Sequence, residues 1–383
     1  MFLHLHLSRI LQIELFLFVS LALLGCNKNE YKKNEHIPVS IAPVRYARGF
    51  KIEYYKNYKL LNVFNPSDSS KIGCQYVLYF NDSLKPQGYE GAQYIKIPVK
   101  SFASLSSLYI AFTQKLDKLD NLVAVSDSRY IYSPATLSLI KTGKVKDVGS
   151  ENSLNIEKLI EANPELIIAY ETNVTAKLRE ADLKLAIINE QFEVTPLGRM
   201  EWIKFIAAFF DKDRLADSLF NKVEQEYNNL VKVAAIAKIR PTVFADIKYG
   251  DGWYMPGGSS YQAALLRDAN GEYLWKDNNK RGSILLSFES VYATAGEADF
   301  WINTSDWKKI SEALRNDSRY EKFKALRNGN MFNNNNRINE LGGNDYWESG
   351  VVNPHEVLAD LIQLFHPELL PERELVYYKK LVP

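Results

Sequence analysis

The spacing of apolar residues changes several times along the chain, and each change predicts an element. Residues 49–63 (GFKIEYYKNYKLLNV) alternate polar and apolar in two pieces around Lys56-Asn57, as two strands and a turn would. Tyr76-Val77-Leu78-Tyr79-Phe80 and residues 93–99 (QYIKIPV) predict further strands. Ser104 to Leu116 takes helical spacing. Leu122-Val123-Ala124-Val125 is a short buried-type strand that ends in the polar turn Ser126-Asp127-Ser128. The pattern then repeats. Pro134 to Thr142 reads as a helix, and so does Asn155 to Ala162, with Asn155 as its cap and Asn163-Pro164 as its stop. Leu166-Ile167-Ile168-Ala169 is a continuous apolar run, which a strand covered on both faces requires. Leu178 to Leu183 is helical again, and Leu185-Ala186-Ile187-Ile188 is the next strand. Strand, helix and strand at this spacing predict an α/β unit with a parallel sheet.

Pro196 opens the longest periodic segment, about Leu197 to Ala237, with apolar residues at steps of three and four from Trp202 to Val231. Asp211-Lys212-Asp213 leaves two forms open, a pair of helices or one bent helix. Arg214 to Ala237 alone would run roughly 35 Å, about the length that bridges two lobes. After Arg240-Pro241 a second α/β set begins: strands at Thr242–Ala245, Phe300–Asn303 and Asn330–Phe332, and helices at Tyr261–Asp268, Ser287–Ala293, Arg319–Leu326 and Pro354–Phe365. The Asn333–Asn336 run reads as a loop.

The first 25 residues stand apart from this fold. An apolar run of about ten from Leu15 to Leu24 is shorter than the roughly 20 residues of a spanning helix, but it suits a signal-peptide core. It ends in Leu23-Leu24-Gly25-Cys26, which resembles the bacterial lipoprotein box, so Cys26 is expected to be acylated after cleavage. Acyl chains supply about 0.8 kcal/mol per buried methylene, enough for two or three to hold a soluble body at a membrane face. Residues 27–40 are polar and without period, and a tether over 26–45 is expected.

Composition narrows the function. The 383 residues carry 47 Lys+Arg against 46 Asp+Glu, a balance that argues against nucleic-acid binding through a general basic surface. Two cysteines give no disulfide framework; Cys74 is expected to be a buried small residue. Of five histidines, His4 and His6 leave with the leader, His36 lies in the tether, and His355 and His366 flank the last helix. No Cys, His and carboxylate spacing suggests a protein-held metal, and no intrinsic cofactor is expected. Gly257-Gly258-Ser259-Ser260 is not a nucleophile elbow, and there is no phosphate loop, so no enzyme is expected.

The order of these elements carries a resemblance. Leu122–Asp127, then Val148-Gly149-Ser150 leading into Asn155-Ile156-Glu157-Lys158-Leu159, then Asn163-Pro164-Glu165-Leu166-Ile167-Ile168-Ala169 follow one family's pattern. So do the long helical segment, the Arg240–Val243 restart, Ala325–Phe332 and Pro354 through Glu368. Over roughly residues 50–370 the chain resembles the periplasmic solute-binding proteins of ABC transporters for iron–siderophore complexes, haem and cobalamin. Glu165 stands where that family usually has Asp. The resemblance implies two α/β lobes with mostly parallel sheets, one long bridging helix, and a ligand cleft between the lobes. It divides the chain into a lipoprotein signal peptide (1–25), the tether (26–45), a first lobe (46–195), the bridge (196–238) and a second lobe (239–383). The implied function is capture of an iron chelate, a ferric siderophore, for an ABC permease and ATPase. Haem or a corrinoid such as cobalamin is the alternative ligand. A surface lipoprotein that binds a partner without a permease is an alternative of another class. A monomer, anchored in the cell envelope and facing the periplasm, is expected.

Strand ends facing the cleft then give the candidate contacts. The first lobe offers Tyr130, Tyr132, Tyr170 and Glu171. The second offers Tyr249, Trp253, Tyr254, Arg337, Tyr346 and Trp347. Planar ligands with polar rims favour aromatic faces, and an anionic chelate favours Arg. Glu171 is also read as a lobe-surface acid for permease docking, and Glu272 is the candidate for that role on the second lobe.

Overall fold

Two mostly parallel sheets and two mostly antiparallel ones account for the patterning in the computed structural model, which describes residues 37–150 and 153–383. The signal segment, Cys26 and the chain to His36 lie outside the described residues. The body runs from Ser40 to Pro383.

The first lobe is built on a five-stranded, all-parallel sheet. Its order is Leu185–Ile187, Leu166–Ala169, Phe102–Ser104, Leu122–Val125, Lys146–Asp147. The apolar runs predicted here as strands are buried except at half-buried Val123, as sheets covered on both faces require. A second five-stranded sheet, antiparallel except for its last pair, is added by Ser40–Ile41, Phe50–Tyr54, Tyr58–Asn65, Asp68–Tyr79 and Gln93–Lys96. The second lobe has the order Glu272–Tyr273, Thr242–Ala245, Phe300–Ile302, Met331–Asn333, Lys379–Lys380, parallel except at the last strand. A small antiparallel sheet of Lys248–Tyr249, Gly252–Pro256 and Ser283–Leu286 covers it.

The periodic segment after Thr195 is two helices, Pro196–Phe209 and Asp213–Ala234, so the single bridge expected over 196–238 is corrected to a pair. Asp211 adopts a left-handed backbone (φ 54°) and closes the first helix, while the Lys212 amide turns back to the Ala207 carbonyl. The first helix is buried along its whole length. Trp202 and Phe205 pack on Phe50, and Phe205 and Phe209 on Tyr76, at centroid distances of 4.8–5.9 Å. The second helix does the bridging. Its 22 residues span about 33 Å. At its start Asp213 accepts from Tyr54 and Lys59 of the first lobe, and near its end Tyr227 donates to Asp268 of the second lobe at 2.8 Å.

The fold begins before the expected boundary at residue 45, because the chain joins it at Ser40. Ser40–Ile41 pairs with Glu53–Tyr54. The fully buried carboxylate of Glu201 then accepts the amides of Arg45, Tyr46 and Ala47 at 2.7–3.1 Å and the Lys204 ammonium at 3.0 Å. Glu193 does the same for Arg48 and Gly49. A buried charge satisfied by several N–H donors is stable; the same charge unpaired would be costly. Asp360 repeats the device at the other end, taking the amides of Val376, Tyr377 and Tyr378.

The lobes also touch away from the bridge. Helix Asp345–Val352 packs against helix Ser107–Lys115, and Glu348 accepts the amides of Tyr132 and Ser133 at 2.7 and 3.0 Å. Asn339 Nδ2 donates to the Ile131 carbonyl at 2.8 Å.

Candidate functional site

Where the parallel strands of both lobes end, the chain leaves a cleft of about 960 Å³. Its first wall carries Ser106, Ser126, Tyr130, Tyr170, Glu190 and Arg199. Its second carries Asp246, Asn303, Ser305, Asn334, Asn335 and Trp347. Ligand sites form at such carboxyl ends because neighbouring connections diverge there and leave a crevice.

The local folding has a common device. Asp127, Asp246 and Asn303 each follow a strand and adopt a left-handed backbone, with φ of 44°, 59° and 55°. Asp and Asn tolerate this conformation because the short polar side chain bonds locally. Two buried indoles fix the second-lobe strand end. Trp253 Nε1 donates to the Ala245 carbonyl at 3.0 Å, and Trp301 Nε1 donates to the Asp246 carbonyl at 2.8 Å. Those indoles sit in an aromatic cluster with Phe244, Tyr320 and Phe323.

Electrostatically the cleft is already organised. Arg129 grips Asp127 with two bonds of 2.7 Å, and the hydrogen bonds hold that carboxyl below its ordinary range. Arg199 meets Glu190 at 2.5 Å and lies over the Tyr261 ring at 4.4 Å. Asp246 differs: burial alone pushes its carboxyl up to about 7. Among the described residues no cluster of three His, Cys, Asp or Glu side chains is placed to hold a metal ion.

The structure brings together Tyr130, Tyr170 and Trp347 of the candidate contacts on the cleft walls. Trp347 is 46% exposed and stands edge-on to Tyr346 at 4.8 Å. Tyr346 itself is buried beneath, against Tyr377 and Tyr378. Trp253 is fully buried and reaches no cleft. Expected as a cleft contact beyond a strand end, it instead lies within the strand Gly252–Pro256, and its indole enters the aromatic core. Tyr249 (79% exposed) and Tyr254 lie on the covering sheet, away from the cleft lining. Tyr132 and Arg337 line a separate pocket of about 390 Å³ beside Glu348; Arg337 lies over the Tyr132 ring and pairs with Asp345 at 2.9 Å. Glu171 faces another groove, together with Cys74 and Arg179. Arg179 binds it at 2.5 Å and holds its carboxyl low. Cys74 is half-buried and its thiol is pushed up by burial. Glu272 is paired with Lys276 and Arg240.

Sequence reasoning passed over Glu190, Arg199, Asp246, Asn303 and the Asn334-Asn335 pair. Except for Arg199, which lies within helix Pro196–Phe209, the signal was present as polar residues placed at or just after the ends of apolar strand runs.

Known proteins share this architecture. A relative from Methanocaldococcus jannaschii, an uncharacterized lipoprotein, is 28% identical over 92% of this chain and 89% of its own. A second uncharacterized lipoprotein of that organism is 26% identical over 92% and 91%. Among solved structures, a possible iron-binding periplasmic solute-binding protein from Staphylococcus epidermidis is similar at a TM-score of 0.56 and 19% identity, over 70% of this chain and 99% of that one. A periplasmic haem-binding protein from Pseudomonas aeruginosa is similar at a TM-score of 0.56 and 15% identity, over 74% and 99%. The family model described as periplasmic binding protein matches residues 103–336, which take in strands from both lobes and most of the cleft lining. With more than half of its length so matched, the chain belongs to the periplasmic binding protein family.

Proposed function

We propose that this protein captures a metal chelate in the interlobe cleft and hands it to an ABC permease while a lipid on Cys26 anchors it to the membrane. One observation carries the reading: strand ends of both lobes converge on a crevice of about 960 Å³, large enough for a chelate and walled by Tyr130, Tyr170 and Trp347. A ferric siderophore, haem and a corrinoid are the ligand classes. They are supported by proteins of similar fold described as binding haem and vitamin B12 and as a possible iron binder. No described helix is long and apolar enough to cross a membrane. The anchor therefore rests on the Leu-Leu-Gly-Cys sequence before the mature body and on the lipoprotein naming of the relatives.

The test is a fluorescence titration with ferric siderophores, haem and cobalamin. One of them quenches tryptophan emission at micromolar affinity or tighter, and Trp347→Phe removes most of that quench. Silence across the panel refutes chelate capture. Separately, Cys26→Ala moves the protein from the membrane to the soluble fraction; continued attachment refutes the lipid anchor.

A further inference from the structure

Building on the reading that the cleft holds a chelate, we infer that this ligand is neutral or cationic and brings a hydrogen-bond donor or a positive charge to Asp246. The charges along the cleft point that way. Among the described residues Asp127, Glu190, Asp246 and Asp306 line it, against only Arg129 and Arg199, with no lysine or histidine. Both guanidiniums are committed: Arg129 to Asp127 through two bonds of 2.7 Å, Arg199 to Glu190 at 2.5 Å. An anionic chelate would have to share either guanidinium with the carboxylate it already serves, whose charge repels the anion. Drawing Arg199 away altogether would strand Glu190, a buried carboxylate, without its cation, a costly exchange.

Asp246 is the converse case. Its backbone is fixed: the amide donates to the Ile302 carbonyl and the carbonyl accepts from Trp301. Its carboxylate makes no hydrogen bond or ion pair among the described residues, and burial is the only cause that moves its titration. The groups that sense its charge are the hydroxyls of Tyr261, Tyr273 and Tyr378, none of them a cation. Lys248, two residues along, is held by Asp317 at 3.4 Å. A partly desolvated carboxylate without a donor gains most from a ligand that supplies one. Asn335 adds to the acceptor bias, because its amide nitrogen is turned to the backbone oxygens of Asp306 and Trp307.

The experiment is calorimetric titration of the full chain with two sets of probes. Neutral or cationic probes are ferric trihydroxamates and cyanocobalamin; anionic probes are a ferric tris-catecholate, ferric citrate and haem. A probe of the first set should bind at least tenfold more tightly than any of the second. Asp246→Asn keeps the side-chain shape and tolerates the left-handed backbone. It should weaken that probe at least tenfold without lowering the melting temperature. A cationic trihydroxamate should bind more tightly as pH rises through about 7 in the wild type, where Asp246 ionises, and the Asn variant should lose that rise. The wild-type profile alone serves if the variant melts lower. Tighter binding of an anionic probe overturns this inference and leaves chelate capture standing. Unchanged affinity in Asp246→Asn, with no pH dependence in the wild type, overturns the role of Asp246. Silence from both sets overturns chelate capture and this inference together.

Discussion

Replacing Glu348 with Gln should change how stability depends on pH, because this carboxylate joins the two lobes from a buried position. It is 2% exposed and accepts the Tyr132 and Ser133 amides, the entry to helix Pro134–Lys141, whose first amides have no intrahelical acceptor. Gln keeps one acceptor oxygen but turns an N–H group towards the second amide. At about pH 5 the native carboxyl is protonated and its hydroxyl oxygen still accepts, so the bond lost in Gln is a neutral one worth about 0.5–1.5 kcal/mol. Titration adds a second effect. Burial pushes the Glu348 carboxyl up to about 7; the two amides oppose this and Asp345 reinforces it. The native state therefore keeps a proton that the unfolded chain has already released between its ordinary value of 4.5 and about 7. Stability from this group is present below that range and is lost as pH rises through about 7. A rise of this size corresponds to about 3 kcal/mol. Gln does not titrate, so the advantage of the wild type over Glu348→Gln should be greatest at about pH 5 and shrink by up to about 3 kcal/mol by about pH 8. Urea denaturation of both proteins at the two pH values measures the gap. A gap that stays constant, or widens with pH, refutes the argument.

Two further substitutions separate packing from binding. Trp253→Ala should destabilise by about 3–5 kcal/mol in urea, as expected for emptying a fully buried indole site; a loss of ligand affinity with no loss of stability would place Trp253 in the cleft after all. Glu201→Ala leaves three amides and Lys204 without their shared acceptor, and should cost about 3–5 kcal/mol with faster proteolysis before residue 49. Unchanged cleavage there would mean that the segment is held by its strand pairing alone.

The two α/β sets were legible because doubly covered strands are continuous apolar runs, and Leu122–Val125, Leu166–Ala169 and Thr242–Ala245 form where those runs lie. The start of the fold was not. Ser40–Ile41 is too short to show a period, and its neighbourhood is fixed by Glu193 and Glu201, about 150 positions away in sequence. The split at Asp211 was readable only as an alternative, since either form keeps the same apolar face. In the cleft, aromatic residues after strand ends include the wall residues Tyr130, Tyr170 and Trp347 but also Trp253, whose burial depends on strand pairing with Ser283–Leu286. Asp246 and Asn303 carry no such aromatic mark; they are polar, short and unremarkable until the backbone turns left-handed beneath them.

The bridging helix is pinned at both ends, and Glu348 fastens the opposite flank, so the molecule has little freedom to swing shut around a guest. Vacant and loaded copies then present nearly the same outline. A downstream receptor reading shape alone would accept fruitless visits from vacant copies as readily as productive ones. Uptake would then scale with the fraction of copies carrying cargo, and dwell time would be set by surface match within the crevice instead of by a closing door.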